Sequence, residues 1–152
     1  MHIVLVEPEI PANTGNISRT CSITGSTLHL VKPLGFSVDD KHLKRAGLDY
    51  WQYLDLHYHE NLQELFDLYP QGRFFFATTK GHKSYHEMQY QKDDFLVFGK
   101  ETAGLPKDLL AKNPDKCIRI PMMGELRSLN LANSVAIILY EALRQVDFPD
   151  LH

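Results

Sequence analysis

Short apolar runs rich in β-branched and aromatic residues recur along this chain, and each gives way to a loop and then to a helix-like segment. His2–Val6 is the first such run. Asn13 reads as the N-cap of a helix reaching about Thr24, with Gly25 as its stop. Thr27–Lys32 reads as a strand halted by Pro33 and Gly35. Asp39 and Asp40 cap a short helix through Arg45, closed by Gly47. Tyr53–His57 alternates Leu54 and Leu56 with polar neighbours, the period of a half-buried strand. Asn61–Tyr69 spaces Leu62, Leu65, Phe66 and Tyr69 as one helical face, ended by Pro70. Arg73–Thr78, Phe95–Phe98 and Lys116–Ile120 are further strands. Pro106 stands in the first turn of a short helix, where a missing N–H costs least. Leu129–Val146 is the longest helix, with Leu131, Val135, Ile138, Leu139 and Ala142 on one face. Such alternation predicts an α/β fold: a mostly parallel sheet with helices on both faces. Ligands then bind outside the carboxyl ends of the strands. The loops to search are 7–12, 79–81, 99–105 and 121–128.

A length of 152 residues fits one domain, 1–152, that buries roughly two-thirds of its surface. The composition, 43% hydrophobic and 23% charged, excludes a disordered chain. No apolar run reaches the ~20 residues of a membrane helix, so a membrane is not expected as a partner. Cys21 and Cys117 stand alone, which excludes a disulfide scaffold and a four-cysteine zinc site. The N-terminus lacks the basic and apolar regions of a signal peptide, and the expectation is a cytoplasmic protein. The net charge of −3 gives no global attraction to nucleic acid. RNA binding would have to use local basic patches; DNA is not expected.

Several motifs fail. Asp94 stands where a P-loop needs glycine, and Glu101 where it needs serine or threonine. No GxGxxG follows a strand, and there is no GxSxG elbow. His57 and His59, and His82 and His86, lack a framing ligand set, so no metal is expected.

Three loops carry a signal. Asn13-Thr14-Gly15-Asn16-Ile17-Ser18-Arg19 opens a helix just after a strand, where free N–H groups attract anions and Arg19 offers a planar fork. Gly99-Lys100-Glu101-Thr102-Ala103-Gly104 follows a strand, with two glycines permitting close backbone approach. Ile118–Met122 leads into Arg127, Ser128, Asn130 and Asn133, more polar groups than one helix cap requires.

In this order and spacing the loops resemble the three motifs of the SPOUT class of RNA methyltransferases. The resemblance spans nearly the whole chain. Glu7-Pro8-Glu9-Ile10-Pro11 and Arg45-Ala46-Gly47-Leu48-Asp49-Tyr50 make it most similar to the small tRNA (cytidine/uridine wobble-position) 2′-O-methyltransferases, a family without an added RNA-binding domain. The resemblance implies a C-terminal trefoil knot, a rare topology that no periodicity reveals. It implies bent S-adenosylmethionine in a pocket of Ala77, Gly99, Glu101, Gly104, Ile120, Met122 and Ser128. It implies a homodimer with a site built from both chains, and tRNA, leucine isoacceptors first, as partner. Arg19, Asn130 and Ser128 are then the catalytic candidates. Asn13, Asn16, Arg19, Lys41, Lys44, Arg45, Lys80 and Arg127 are the RNA-contacting ones. Lys100, Ala103 and Ala132 depart from common family residues, which bears on RNA contact more than on the cofactor. Glu101 either balances the cofactor charge or holds a loop. Rival readings are a ribosomal RNA 2′-O-methyltransferase of the same class, a non-catalytic RNA-binding module, and a metal-dependent hydrolase using His82 and His86.

Overall fold

A computed structural model describes residues 1–41, 43, 45, 48–126 and 128–152. Among them, seven strands form one sheet: β1 (His2–Val6), β2 (Thr27–Val31), β3 (Leu56–His59), β4 (Phe74–Ala77), β5 (Lys83–Ser84), β6 (Phe95–Phe98) and β7 (Cys117–Arg119). Their order is β3-β2-β1-β6-β4-β7-β5, and every pairing is parallel. The helices are α1 (Pro11–Thr24), α2 (Leu62–Leu68), α3 (Lys107–Lys112) and α4 (Leu131–Gln145). A parallel sheet must be covered on both faces, and the strand residues divide accordingly. Ile3, Leu5, Leu28, Leu30, Phe75, Leu96 and Phe98 pack with Ile17 and Cys21 of α1 and Val135, Ile138 and Leu139 of α4. Val4, Val6, Val31, Phe74, Phe76 and Val97 pack with Leu65 of α2 and are flanked by Leu109 and Leu110 of α3. The expected α/β architecture is therefore the observed one.

Local expectations were corrected in four places. Helix α1 starts at Pro11, with Ile10 as its N-cap, so Asn13 lies inside the first turn and caps nothing. Proline at the first position already has helical φ and no orphan N–H. The strand expected over 53–57 lies three residues later, at Leu56–His59, and Tyr53 ends a 3-10 helix over Leu48–Tyr53. Residues 83–87, to which the sequence pattern assigns no element, form β5 and a short 3-10 helix with a Ser84–Glu87 capping box. Pro106 precedes α3 as its N-cap. Gly25 does end α1, at φ 65°, with its N–H donating to Cys21 O. The helix expected from Asp39 to Gly47 includes positions outside the described residues.

Part of the second sheet face is polar. His29 is fully buried; its Nε2 lies 3.0 Å from His2 Nδ1, and its Nδ1 lies 2.9 Å from His59 Nε2. Burial holds His2 down to about 4 and His29 to about 3, and lowers His59 as well. All three are therefore neutral near pH 7, alternately donating and accepting along the row. His82 and His86 are exposed, and no three potential ligands among the described residues are placed to hold a metal.

Candidate active site

The carboxyl ends of β4, β6 and β7, the entrance of α1 and the start of α4 open onto one cleft of about 600 Å³. All seven residues expected at a cofactor line it: Ala77, Gly99, Glu101, Gly104, Ile120, Met122 and Ser128. Asn13, Lys80 and Asn130 line it too. Thr78, Lys107, Arg119, Leu129 and Ser134 also face it and were missed by the sequence reading. Thr78 and Arg119 directly follow or end strands, which was the available signal; Ser134 shares the α4 face of Asn130 at four residues.

The loop after β6 is built to fold back on its own base. Gly104 takes φ 69°, and its N–H donates to Lys100 O at 2.9 Å. A Cβ on Gly99 would stand 2.0 Å from Gly104 C and 2.2 Å from Leu105 N, so only glycine fits there. The hairpin thrusts Glu101 at the entrance of α1. Its carboxylate accepts the N–H of Glu9 (2.8 Å) and of Ile10 (3.1 Å), and the Asn13 side-chain amide (3.3 Å). Sequence reasoning expected α1 to offer free N–H groups to a bound anion. Instead the N–H groups of Asn13 and Thr14 already reach Ile10 O, and the protein's own Glu101 takes the anion's place beside the positive helix end. Of its two candidate roles, the geometry supports holding a loop.

The link continues across the cleft. Asn130 Nδ2 donates to Asn13 Oδ1 at 3.0 Å, while Asn130 Oδ1 caps α4 through the N–H groups of Ala132 and Asn133. One polar chain, Glu101–Asn13–Asn130, thus ties the loop after β6, the entrance of α1 and the entrance of α4. A second tie lies beside it. Lys100 Nζ meets Glu7 at 3.0 Å, which raises the Lys100 pKa, and Thr102 donates to Glu9.

Apart from Asn13 and Lys80, the described RNA-directed candidates do not line this cleft. Arg19 is exposed on the third turn of α1, outside the cleft of its own chain, with its guanidinium against Tyr50. Asn16, Lys41 and Arg45 are exposed and do not line the cleft. Lys44 and Arg127 lie outside the described residues.

The profile of the SpoU rRNA methylase family matches residues 1–140. The chain belongs to the SpoU family. Within it, a Bacillus subtilis protein is 57% identical over 99% of this chain and 96% of its own length. A Methylovorus glucosotrophus protein named tRNA (cytidine(34)-2′-O)-methyltransferase is 52% identical over 96% of both chains. A solved structure concerned with 2-OH methylation of C/U34 on tRNA superimposes with a TM-score of 0.91 at 44% identity, over 96% of this chain and 95% of its own.

Proposed function

We propose that this SpoU-family protein transfers a methyl group from S-adenosylmethionine to the ribose 2′-oxygen of the wobble nucleotide of tRNA, a cytidine or modified uridine, with leucine tRNAs as substrates. The observation that carries the reading is convergence: the seven residues that the family resemblance implies for the cofactor, from three separate segments of the chain, line one cleft.

The cleft suits the donor chemically. Ile120, Met122 and Leu129 offer apolar walls to an adenine ring, and Ser128, Ser134 and Asn130 offer hydroxyl and amide groups to the polar parts. When bound, S-adenosylmethionine supplies a methyl already activated by a sulfonium charge. The protein must then orient the 2′-hydroxyl, and positioning alone removes several kcal/mol of barrier. Glu101 already serves three donors, which argues against its taking a proton. Arg19 stays protonated. In this reading its fork grips the phosphate and polarises the 2′-oxygen, and the proton leaves to phosphate or water.

Arg19 stands outside its own cleft, which supports a homodimer in which each Arg19 serves the partner's cleft. Ile137 and Tyr140 on α4, and Ile10 and Ile23 at the ends of α1, are exposed apolar groups for such an interface. The strand order supports the trefoil knot. β7 inserts between β4 and β5, so the 78–82 connection must arch past the end of β7, where Gly81 lies against the Ile118 backbone. Lys41, Arg45 and Lys80, with Lys44 and Arg127, supply local positive charge for RNA. No described helix is long and apolar enough to cross a membrane, and the reading places the protein with its tRNA in the cytoplasm. The test is Arg19→Lys, which keeps the charge and loses the fork. Turnover is expected to fall at least tenfold with cofactor affinity unchanged; full turnover would overturn the role given to Arg19.

A further inference from the structure

We propose that Tyr50 is a positioning residue for Arg19, holding the guanidinium ready for the substrate nucleotide; the proposal rests on the reading of Arg19 given above. Two contacts come from one phenol. Arg19 Nη2 donates to Tyr50 Oη at 2.9 Å, and Arg19 Cζ lies 4.6 Å from the centre of the Tyr50 ring. A hydrogen bond fixes one edge of the fork, and the ring face fixes its tilt.

The brace is anchored to the helix that carries Arg19. Tyr50 lies in the Leu48–Tyr53 3-10 helix, and its carbonyl oxygen accepts from Ser22 Oγ at 3.0 Å. Ser22 is one helical turn beyond Arg19 on α1, and its single hydroxyl hydrogen is shared between Tyr50 O and Ser18 O, the latter at 2.9 Å. The path from Arg19 through the Tyr50 side chain and backbone to Ser22 is therefore a closed loop. Movement of the 3-10 helix along α1 would break both ends at once.

The choice of partner matters chemically. An exposed arginine ordinarily samples many rotamers, and that freedom is lost when its fork engages a phosphate. A carboxylate would order the side chain equally well but would cancel its charge. Tyrosine orders it and leaves the charge intact. It occupies one of five N–H donors and one face, so the others remain for a phosphate or ribose oxygen. Tyr50 also closes the Arg45–Tyr50 segment, to which the cleft assigns no role.

The test uses the full chain with S-adenosylmethionine and unmodified leucine tRNA. Tyr50→Phe keeps the ring and removes the hydrogen bond; Tyr50→Leu removes both contacts. Expected are a fall in kcat of about tenfold for Tyr50→Phe and a larger one for Tyr50→Leu, with cofactor affinity unchanged. In an Arg19→Lys background, where the fork is already lost, Tyr50→Phe should cost less than about twofold. Independently of activity, the Arg19 Nε–H order parameter should drop in Tyr50→Phe. Equal losses in both backgrounds, or parental kcat and parental Arg19 order in Tyr50→Phe, would overturn the brace. If Arg19→Lys itself matches the parent, the reading of Arg19 fails instead; an impaired Arg19→Lys beside a silent Tyr50→Phe condemns the brace alone.

Discussion

Gly99→Ala adds a single methyl group at the most crowded backbone position of the cleft. The new carbon would lie 2.0 Å from Gly104 C, where ordinary contact begins at 3.4 Å, and the nearest atoms are all backbone. No side chain can swing away, so the hairpin must move by about 1.4 Å, the difference between those distances. Overpacking of this kind costs roughly 1–3 kcal/mol. The displacement also pulls Glu101 from the N–H groups of Glu9 and Ile10, and hydrogen bonds to a charged group are each worth about 1.5–3 kcal/mol. Overpacking alone, at about 3 kcal/mol, lowers Tm by roughly 6–12 °C in a domain of this size, and the lost hydrogen bonds lower it further. A misplacement of about 1 Å at a positioned site costs on the order of a hundredfold in rate. Differential scanning calorimetry and single-turnover methyl transfer measure the two effects separately. Parental Tm together with parental turnover in Gly99→Ala would refute the argument that the folded-back hairpin holds the site.

Three further outcomes follow from other parts of the molecule. His2, His29 and His59 bind protons less readily when folded, so the unfolded chain takes up protons first as pH falls below about 6.5. Stability should be flat above that pH and fall toward pH 4 by up to about 1.4 kcal/mol per unit for each histidine, read from urea midpoints; midpoints unchanged from pH 7 to 5 would contradict the neutral row. Asn130→Ala should lose about 1 kcal/mol of capping, whereas Asn130→Asp should keep Tm and still lose turnover, because it caps α4 without donating to Asn13. Parental turnover in Asn130→Asp would show the Asn13 link to be idle. The tRNA dissociation constant should rise steeply with salt, and Lys80→Ala should reduce the log–log slope by about 0.7–0.9; an unchanged slope would remove Lys80 from the RNA face.

The parallel sheet was readable because both of its faces are buried, so β1, β4 and β6 appear as unbroken apolar runs rather than alternating ones. The cleft was readable because its lining comes from short loops with unusual glycine and polar content. What sequence alone could not show are links between distant positions. Glu101 reaches Asn13 across 88 residues, and Asn130 reaches Asn13 across 117. Local pattern assigned Asn13 to a cap because asparagine favours that position, but Pro11 had already begun the helix. β5 has two residues and exists only because β7 lies beside it. Tyr53–His57 alternates like a strand, yet Leu48–Tyr53 is held as a 3-10 helix against α1, partly through Ser22 and Tyr50.

The most direct test is transfer of a labelled methyl from S-adenosylmethionine to an unmodified leucine tRNA, followed by mapping of the labelled nucleotide. The account predicts label on the ribose 2′-oxygen of the wobble nucleotide, absent with Arg19→Ala. Label on a base or on another nucleotide, or transfer only to ribosomal RNA, would contradict it.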